Sequence, residues 1–339
     1  MMLTVAFFLL LLLFILPFAP GIREFRRRDD AAPLFINMDF RKYPRYFASS
    51  FRKKFTESLN DPSALEGLRE LHLSKREKVQ IVDKADFAPG SRSEHVLYVL
   101  HDLESGKNVT FDKEVYIRGA SRIGEDNRLQ ALACDSDVRI GSGTRISRWL
   151  DAEGAIIAES SCSLGVDAAC GGMLSAARAC TFMRLFGSPV FAGEHTSYRE
   201  EDENLESEQT LLFCGDSIER NLSSIPASSI KNCSIISTKS LTIGDFSVIR
   251  GHIKTHRDLI IGAHVIITGN IFADGNIEIG QQSRVLGTVF AQQHIKVKDS
   301  ARIGSKHRIK SMIGKKSVTL EQGVQVYGLV MTEGKGSIV

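Results

Sequence analysis

The chain has 339 residues and a formal net charge of +3, so it is long enough to bury a large core and to hold two domains. Ten Lys or Arg and four Asp or Glu lie between residues 21 and 54, directly after a hydrophobic segment, which is typical of contact with a membrane surface. Aromatic side chains are not interleaved with basic ones in the repeats described below, and this argues against nucleic-acid binding.

The first 20 residues are almost wholly apolar, with Thr4 as the only polar side chain. Roughly 18 such residues reach about 27 Å as a helix, which is just enough to cross a bilayer. The arginines that follow place the rest of the chain in the cytoplasm by the positive-inside rule; they are Arg23, Arg26, Arg27 and Arg28. We therefore predict a single-pass transmembrane anchor at residues 1–20. The competing interpretation is a signal, either cleaved or kept with its N-terminus inside, which would place the rest in the periplasm.

Residues 21–60 form a basic and aromatic juxtamembrane segment, for which two interpretations stand. Its rings either sit at lipid headgroups while its cations meet anionic lipid, or they form an amphipathic helix that packs on the first coil of the repeats. Residues 61–108 are predicted as a small α/β preface. It would begin with a helix at Asp61 and continue with strands at 78–82 and 95–100, covering one end of the repeats.

The dominant pattern is a repeat of 18 residues, seen most clearly in segments that begin at Leu241, Leu259, Ile277 and Ile295. Apolar or small residues occupy the first position of each segment and the positions 2, 6, 8 and 12 residues later, except that the fourth segment has His307 at the last of these positions. Two such residues separated by one form a short strand with one face inward, and the gaps between strands are too short for helices. The fold class predicted is all-β, a single-stranded parallel β-helix, or β-solenoid, of 18-residue coils.

The same template begins again at Val138, Ile156 and Leu174, with an opening coil at Val109 and a closing one at Val318. We therefore divide this region into a first solenoid block at 109–190, an acidic loop with an irregular coil at 191–237, a second block at 238–332 and a tail at 333–339. A degenerate coil near residue 233 would stack the two blocks in sequence as one rod.

The remaining polar features predict no chemistry. The six cysteines include no C-x-x-C pair, and Cys162 and Cys180 occupy the small inward position of their coils, so buried thiols are expected. The acidic run at 199–208 lacks the glycine-bent spacing of a calcium loop and is interpreted as a solvated loop.

The repeats do not match the patterns of two classes of solenoid enzyme. Hexapeptide acyltransferases also have 18-residue coils, but their apolar position returns every six residues, whereas here Ile243, Ile249 and Ile253 follow steps of 6 and 4. Polysaccharide lyases and hydrolases need clustered carboxylates on one face. The outward carboxylates share no common offset in the coils; they are Asp245, Asp274, Glu278 and Asp299. Available histidines are His252, His256, His264 and His294. We predict no catalytic residue, no cofactor-binding residue and no metal ligand.

The motifs Val248-Ile249-Arg250-Gly251-His252-Ile253 and Ile266-Ile267-Thr268-Gly269-Asn270-Ile271 resemble the repeats of bactofilins, and a third motif spans 284–289. The glycines that keep this register are Gly251, Gly269, Gly287 and, in the closing coil, Gly328, and each is expected at a corner that needs unusual backbone angles. The resemblance covers about 241–330. It implies a compact β-helix that polymerises without nucleotide, at the inner membrane of a bacterium, and positions cell-wall or polysaccharide machinery.

The last coil is the expected contact in that assembly, because a terminal coil presents unpaired strand edges. The residues predicted for self-association are Val318, Leu320, Val324, Val326 and Val330. The function predicted is a membrane-anchored, self-associating scaffold of bactofilin type that organises cell-envelope or polysaccharide machinery. Its partners would be itself, membrane lipid and unidentified envelope proteins, without nucleic acid. The alternative is a membrane-tethered solenoid enzyme, an acyltransferase or a glycan-active enzyme, acting on envelope polysaccharide.

Overall fold

A computed structural model describes residues 18–19, 44–58, 70–72, 78–193 and 217–339. The chain divides into two compact units, residues 1–36 and 37–339, and the fold described below is that of the second. The predicted anchor lies outside the described residues except for 18–19, and so do the four arginines after it. Within the described part of the chain, no helix is long and apolar enough to cross a membrane.

The second unit is a parallel β-solenoid of about 13 turns, which confirms the fold predicted from the repeat. It consists of two stacks of coils. Stack 1 covers residues 78–192, and helix α1 (Tyr46–Ser58) precedes it. The strands of this part are β1 (Glu70–His72), β2 (Lys78–Val82), β3 (Ala85–Phe87), β4 (Arg92–Ser93), β5 (Val96–Val99), β6 (Leu103–Ser105), β7 (Thr110–Ile117), β8 (Ser121–Ile123), β9 (Arg128–Cys134), β10 (Val138–Ile140), β11 (Arg145–Ala152), β12 (Ile156–Ala158), β13 (Asp167–Cys170), β14 (Leu174–Ala176) and β15 (Thr181–Ala192).

Stack 2 covers residues 218–338 and repeats the same plan. Its strands are β16 (Ile218–Arg220), β17 (Ser224–Ile225), β18 (Ile230–Lys231), β19 (Ser234–Ser237), β20 (Leu241–Ile243), β21 (Val248–Ile249), β22 (Ile253–Thr255), β23 (Leu259–Ile261), β24 (Ile266–Ile267), β25 (Ile271–Ala273), β26 (Ile277–Ile279), β27 (Arg284–Val285), β28 (Val289–Ala291), β29 (His294–Val297), β30 (Arg302–Ile303), β31 (Lys310–Gly314), β32 (Ser317–Leu320) and β33 (Gln325–Ile338).

Each coil contributes one strand to each of three faces. Face 1 of stack 2 contains β20 and β23, face 2 contains β21 and β24, and face 3 contains β22 and β25. Each of these strands pairs in parallel with the equivalent strand one coil later, so Leu241 lies beside Leu259 and Ile253 beside Ile271. Because successive coils are in register, the inward side chains form continuous apolar columns that are almost fully buried.

The small inward position, six residues into each coil, has a hydrogen-bonding role. Thr144 Oγ1 donates to the Gly124 carbonyl at 2.9 Å, and Ser283 Oγ donates to the Gly262 carbonyl at 2.8 Å. Cys162 Sγ makes the same contact to the Gly141 carbonyl at 3.3 Å. A Ser, Thr or Cys at this position therefore supplies a donor to a corner carbonyl of the preceding coil, whereas Val265 and Ala301 fill the same position with apolar side chains.

The register glycines have a different cause from the one expected. Gly251, Gly269 and Gly287 do not have positive φ. A Cβ on Gly269 would instead collide with the carbonyl of Gly251 one coil earlier, and a Cβ on Gly287 with that of Gly269. Close approach of successive backbones therefore requires these glycines. Gly328, with φ of 127°, is the one of the four that adopts unusual backbone angles.

Two boundaries predicted from the sequence need correction. Residues 78–105 form coils rather than a preface, because β2, β3 and β4 pair in parallel with β5, β6 and β7 one coil later. The expected tail is also part of the fold. Residues 335–338 of β33 pair with β32, and so extend the last coil by a further strand.

Candidate functional site at the ends and the junction of the rod

The two stacks join through their C-terminal coils. Strand β15, which ends stack 1, pairs antiparallel with β33, which ends stack 2. Leu185 lies opposite Val330, so face 3 of stack 2 continues into the face of stack 1 that contains β5, β11 and β13, which is called face 3 of stack 1 below. Val190 lies opposite Val326. The stacks therefore run in opposite directions along one rod. The sequence prediction of blocks stacked head to tail through a coil near residue 233 is wrong.

This junction corrects the expected self-association surface. The prediction assumed that the closing coil has an uncovered edge, but β15 of the same chain covers it. All five predicted residues are fully buried, namely Val318, Leu320, Val324, Val326 and Val330. Val326 and Val330 lie opposite β15 in the join, whereas Val318 and Leu320 lie beside residues 336 and 338 of β33, which cover them within stack 2.

As a result, both outer ends of the rod are N-terminal coils. At the outer end of stack 2, β16, β17 and β18 pair with β19, β20 and β21 and, among the described strands, with no strand on their outer side. Two isoleucines of this end coil are exposed, Ile218 by 37% and Ile230 by 65%. At the outer end of stack 1, β2 pairs with β1, whereas β3 and β4 have partners on one side only among the strands described.

Helix α1 covers face 3 of stack 1, so the structure agrees with the second interpretation of the juxtamembrane segment over 46–58. Phe55 stacks on Tyr98 with ring centroids 5.1 Å apart, and Phe51 meets Trp149 edge-on at 5.5 Å. Two arginines fix the helix to the acidic end of this face. Arg45 Nη2 lies 2.8 Å from Asp151 Oδ1, and Arg52 Nε lies 2.8 Å from Asp135 Oδ1.

The environment of this acidic end shifts the pKa of several groups. The hydrogen bond from Arg45 lowers the pKa of Glu153. Burial raises the pKa of Asp167 to about 6, although Arg184 at 3.7 Å opposes the shift. The contacts of Arg45 and Arg52 hold the helix in place, whereas the Asp167–Arg184 pair joins β13 and β15, and nothing in these interactions resembles a nucleophile and its base.

The histidines and outward carboxylates named from the sequence are dispersed along stack 2. Asp274 Oδ2 lies 2.8 Å from His256 Nδ1, and His294 Nδ1 lies 2.6 Å from Ser317 Oγ. His252 accepts a hydrogen bond from the Asn270 amide, and burial lowers its pKa. His264 stacks on Phe246, while Asp245 accepts from the Ala263 amide and Glu278 pairs with Lys298. Within the described chain, no three His, Cys, Asp or Glu side chains are placed to hold a metal ion.

The five described cysteines are buried thiols, as the sequence predicts; they are Cys134, Cys162, Cys170, Cys180 and Cys233. Burial raises the pKa of Cys134 and of Cys170 to about 12. Thiols of this kind are poor nucleophiles and act here as core side chains.

Beside the junction lies a polar cleft of about 950 Å³ that the sequence analysis did not identify. Its walls come from both stacks. Stack 1 contributes Arg178 and Phe191, and stack 2 contributes Gln282, Ser283, Arg284, Asp299, Ser300, Arg302, Gln322, Gly323 and Gln325. Without the antiparallel join, these residues would not face one another, so no local sequence pattern marks the cleft.

The fold and these sites place the chain in the class of β-solenoid proteins. No known protein family, curated protein or solved structure matches the chain.

Proposed function

We propose that the protein is a self-associating β-helical scaffold of bactofilin type that is anchored to a bacterial inner membrane and organises cell-envelope or polysaccharide machinery. The single observation that carries the proposal is the arrangement of the rod, whose outer ends are both N-terminal coils. The resemblance of residues 241–330 to bactofilin repeats supports it. Membrane attachment, in this proposal, comes from residues 1–20 and the arginines that follow.

Self-association would occur through the end coil of stack 2 rather than through the closing coil. Among the described strands, β16, β17 and β18 have no partner on their outer side, so they offer backbone groups there, and such an edge is a template for another strand. Exposed Ile218 and Ile230 add apolar area at the same end. Contact between two such ends joins equal surfaces, which gives a closed dimer of rods. A second contact at the outer end of stack 1 would extend it into a filament.

The experiment is sedimentation and electron microscopy of the full chain, without nucleotide or metal. The test variant is I218K/I230K, which places two like charges on each contacting end. The matched control is Ile260→Lys, because Ile260 is an isoleucine that is 46% exposed but lies in the middle of stack 2. We expect assemblies from the wild type and from the control, and single rods from the end variant. Single rods from the wild type, or equal assembly of both variants, would contradict the proposal.

The alternative function is a solenoid enzyme, an acyltransferase or a glycan-active enzyme, acting on envelope polysaccharide, and the described lining of the junction cleft supplies no pair of carboxyl groups for such a reaction. Hydrolysis of a glycoside uses two carboxyl groups that flank the scissile bond. In the cleft at the junction, Asp299 is the one carboxylate among the lining residues. The scaffold is therefore the function that the geometry supports best.

A further inference from the structure

The junction cleft has the chemistry of an anion site. Its lining residues include three arginines and one carboxylate, so the side chains that face it carry an excess of two positive charges. The arginines are Arg178, Arg284 and Arg302. A guanidinium presents a planar set of donors that matches a carboxylate with two parallel hydrogen bonds. Because all three cations are arginines, the cleft is better suited to binding a planar oxyanion than to attracting anions non-specifically.

Side chains along the cleft also repeat from one coil to the next. Arg284 lies beside Arg302 in parallel register, and Arg302 lies beside Gln325. Gln325 in turn lies opposite Phe191 of stack 1, so one row of side chains crosses the junction. Successive members of the row are one strand spacing apart, about 4.8 Å. A ligand with a repeating unit of similar length would meet an equivalent side chain at each step.

A second row of residues runs parallel to the first, and none of its members is charged. It consists of Gln282, Ser300 and Gly323, which occupy the left-handed corner of three successive coils with φ of 54°, 56° and 75°. Gln282 and Ser300 are exposed. Amide and hydroxyl groups of this kind pair with sugar hydroxyls. Cations in one row and neutral hydrogen-bonding groups in the next match a sugar that carries a carboxylate on one edge and hydroxyls on the other.

Other polyanions fit less well. The one aromatic ring in the lining, that of Phe191, is only 2% exposed and cannot act as a stacking platform for a base. The volume is at the upper limit for small-molecule pockets, and the cleft is open to solvent along its rows. These features favour an extended oligomer over a nucleic acid or a compact metabolite.

We propose that the junction cleft binds a segment of an acidic polysaccharide, with Arg284 and Arg302 holding carboxylates of neighbouring sugar units. The corner residues Gln282 and Ser300 contact the hydroxyls. Arg178 closes the cleft from stack 1, so the site requires the antiparallel join of the two stacks. The inference does not depend on self-association, because the cleft lies within one chain.

The test is binding of the full chain to polygalacturonate, measured by affinity electrophoresis and by calorimetry. Methyl-esterified polygalacturonate serves as the neutral probe and polyglutamate as an acidic peptide probe. We expect the R284Q/R302Q variant to bind polygalacturonate about tenfold to a hundredfold more weakly than the wild type. The neutral polymer and polyglutamate should bind the wild type more weakly than polygalacturonate by a similar factor.

The matched control is R122Q/R139Q. Arg122 and Arg139 are also register partners one coil apart and are exposed, but they lie on β8 and β10 of stack 1, and three register steps separate Arg139 from Phe191 at the junction. This control should bind like the wild type, and thermal unfolding should show that both variants remain folded. No binding by the wild type, equal weakening of both variants, or equal binding of polyglutamate would overturn the proposal. Sedimentation of the same variants reports separately on assembly.

Discussion

Leu185 and Val330 lie opposite each other in antiparallel register, and both are fully buried. Leu185 belongs to the last coil of stack 1 and Val330 to the last coil of stack 2. This pair therefore marks the point at which the chain reverses the direction of its own solenoid. Two stacks of parallel coils become one rod because each covers the end of the other.

The first prediction concerns this join. Leu185→Ala removes a fully buried side chain from the middle of the rod, so it should lower the free energy of unfolding by about 2 to 5 kcal/mol. The measurement is urea unfolding followed by circular dichroism. Met331→Ala is the control, because Met331 lies on the adjoining outward position and is half-buried. Equal losses of stability in the two variants would contradict the prediction, because the fully buried residue would then contribute no more than the half-buried one.

The second prediction concerns the attachment of α1. Arg52 donates to the Cys134 carbonyl at 2.7 Å and pairs with the carboxylates of Asp135 and Asp151. Arg52→Gln leaves buried Asp151 paired with Arg45 alone of these two arginines, and should cost about 2 to 3 kcal/mol of stability. Limited proteolysis should then cleave within α1 faster. Lys54→Gln, an exposed position on the same helix, should leave the cleavage rate unchanged.

The third prediction concerns pH. Burial raises the pKa of Asp167 from 3.8 to about 6, so between these values the folded state keeps a proton that the unfolded chain releases. Stability is therefore lost as the pH rises from about 4 to about 6, and the loss is complete above pH 6. The total loss in the free energy of unfolding is no more than about 3 kcal/mol. Asp167→Asn removes this dependence, and its stability relative to the wild type should improve between pH 4 and pH 7.

The measurement for Asp167→Asn is the midpoint of urea unfolding at pH 4 and at pH 7. Asp86→Asn is the control because Asp86 is exposed, and it should show no change in relative stability with pH. If Asp167→Asn gains nothing at pH 7, Arg184 compensates the buried charge in full.

The fourth prediction concerns the left-handed corners. Ala179 has φ of 61° and is exposed, and its amide donates to the Ile338 carbonyl across the junction. Because a Cβ is strained at this φ, Ala179→Gly should raise the free energy of unfolding by up to about 1 kcal/mol. Ala227→Gly is the control. Ala227 is an exposed turn residue without positive φ, so glycine there should lower stability by about 0.5 to 1 kcal/mol.

Local pattern was enough to predict the coils. The inward residues from Leu241 to Val297 recur every 18 positions, and the structure pairs each with its equivalent one coil later. The coils of residues 78–105 were missed because their strands are short and their outward face is also apolar. Val79, Val96 and Tyr98 are buried under α1, so the alternation that identifies a half-exposed strand is lost there.

The sequence by itself determined the period of the coil, the inward columns and the small inward position, because each depends on residues within one or two coils. Only the tertiary structure decided which solenoid ends cover each other, where α1 lies and that a cleft of arginines forms beside the join. The physical reason is that every open end of the solenoid presents a similar apolar cross-section. Which two ends meet depends on the shape and the strand pairing of a whole coil, and no local repeat in the sequence determines these properties.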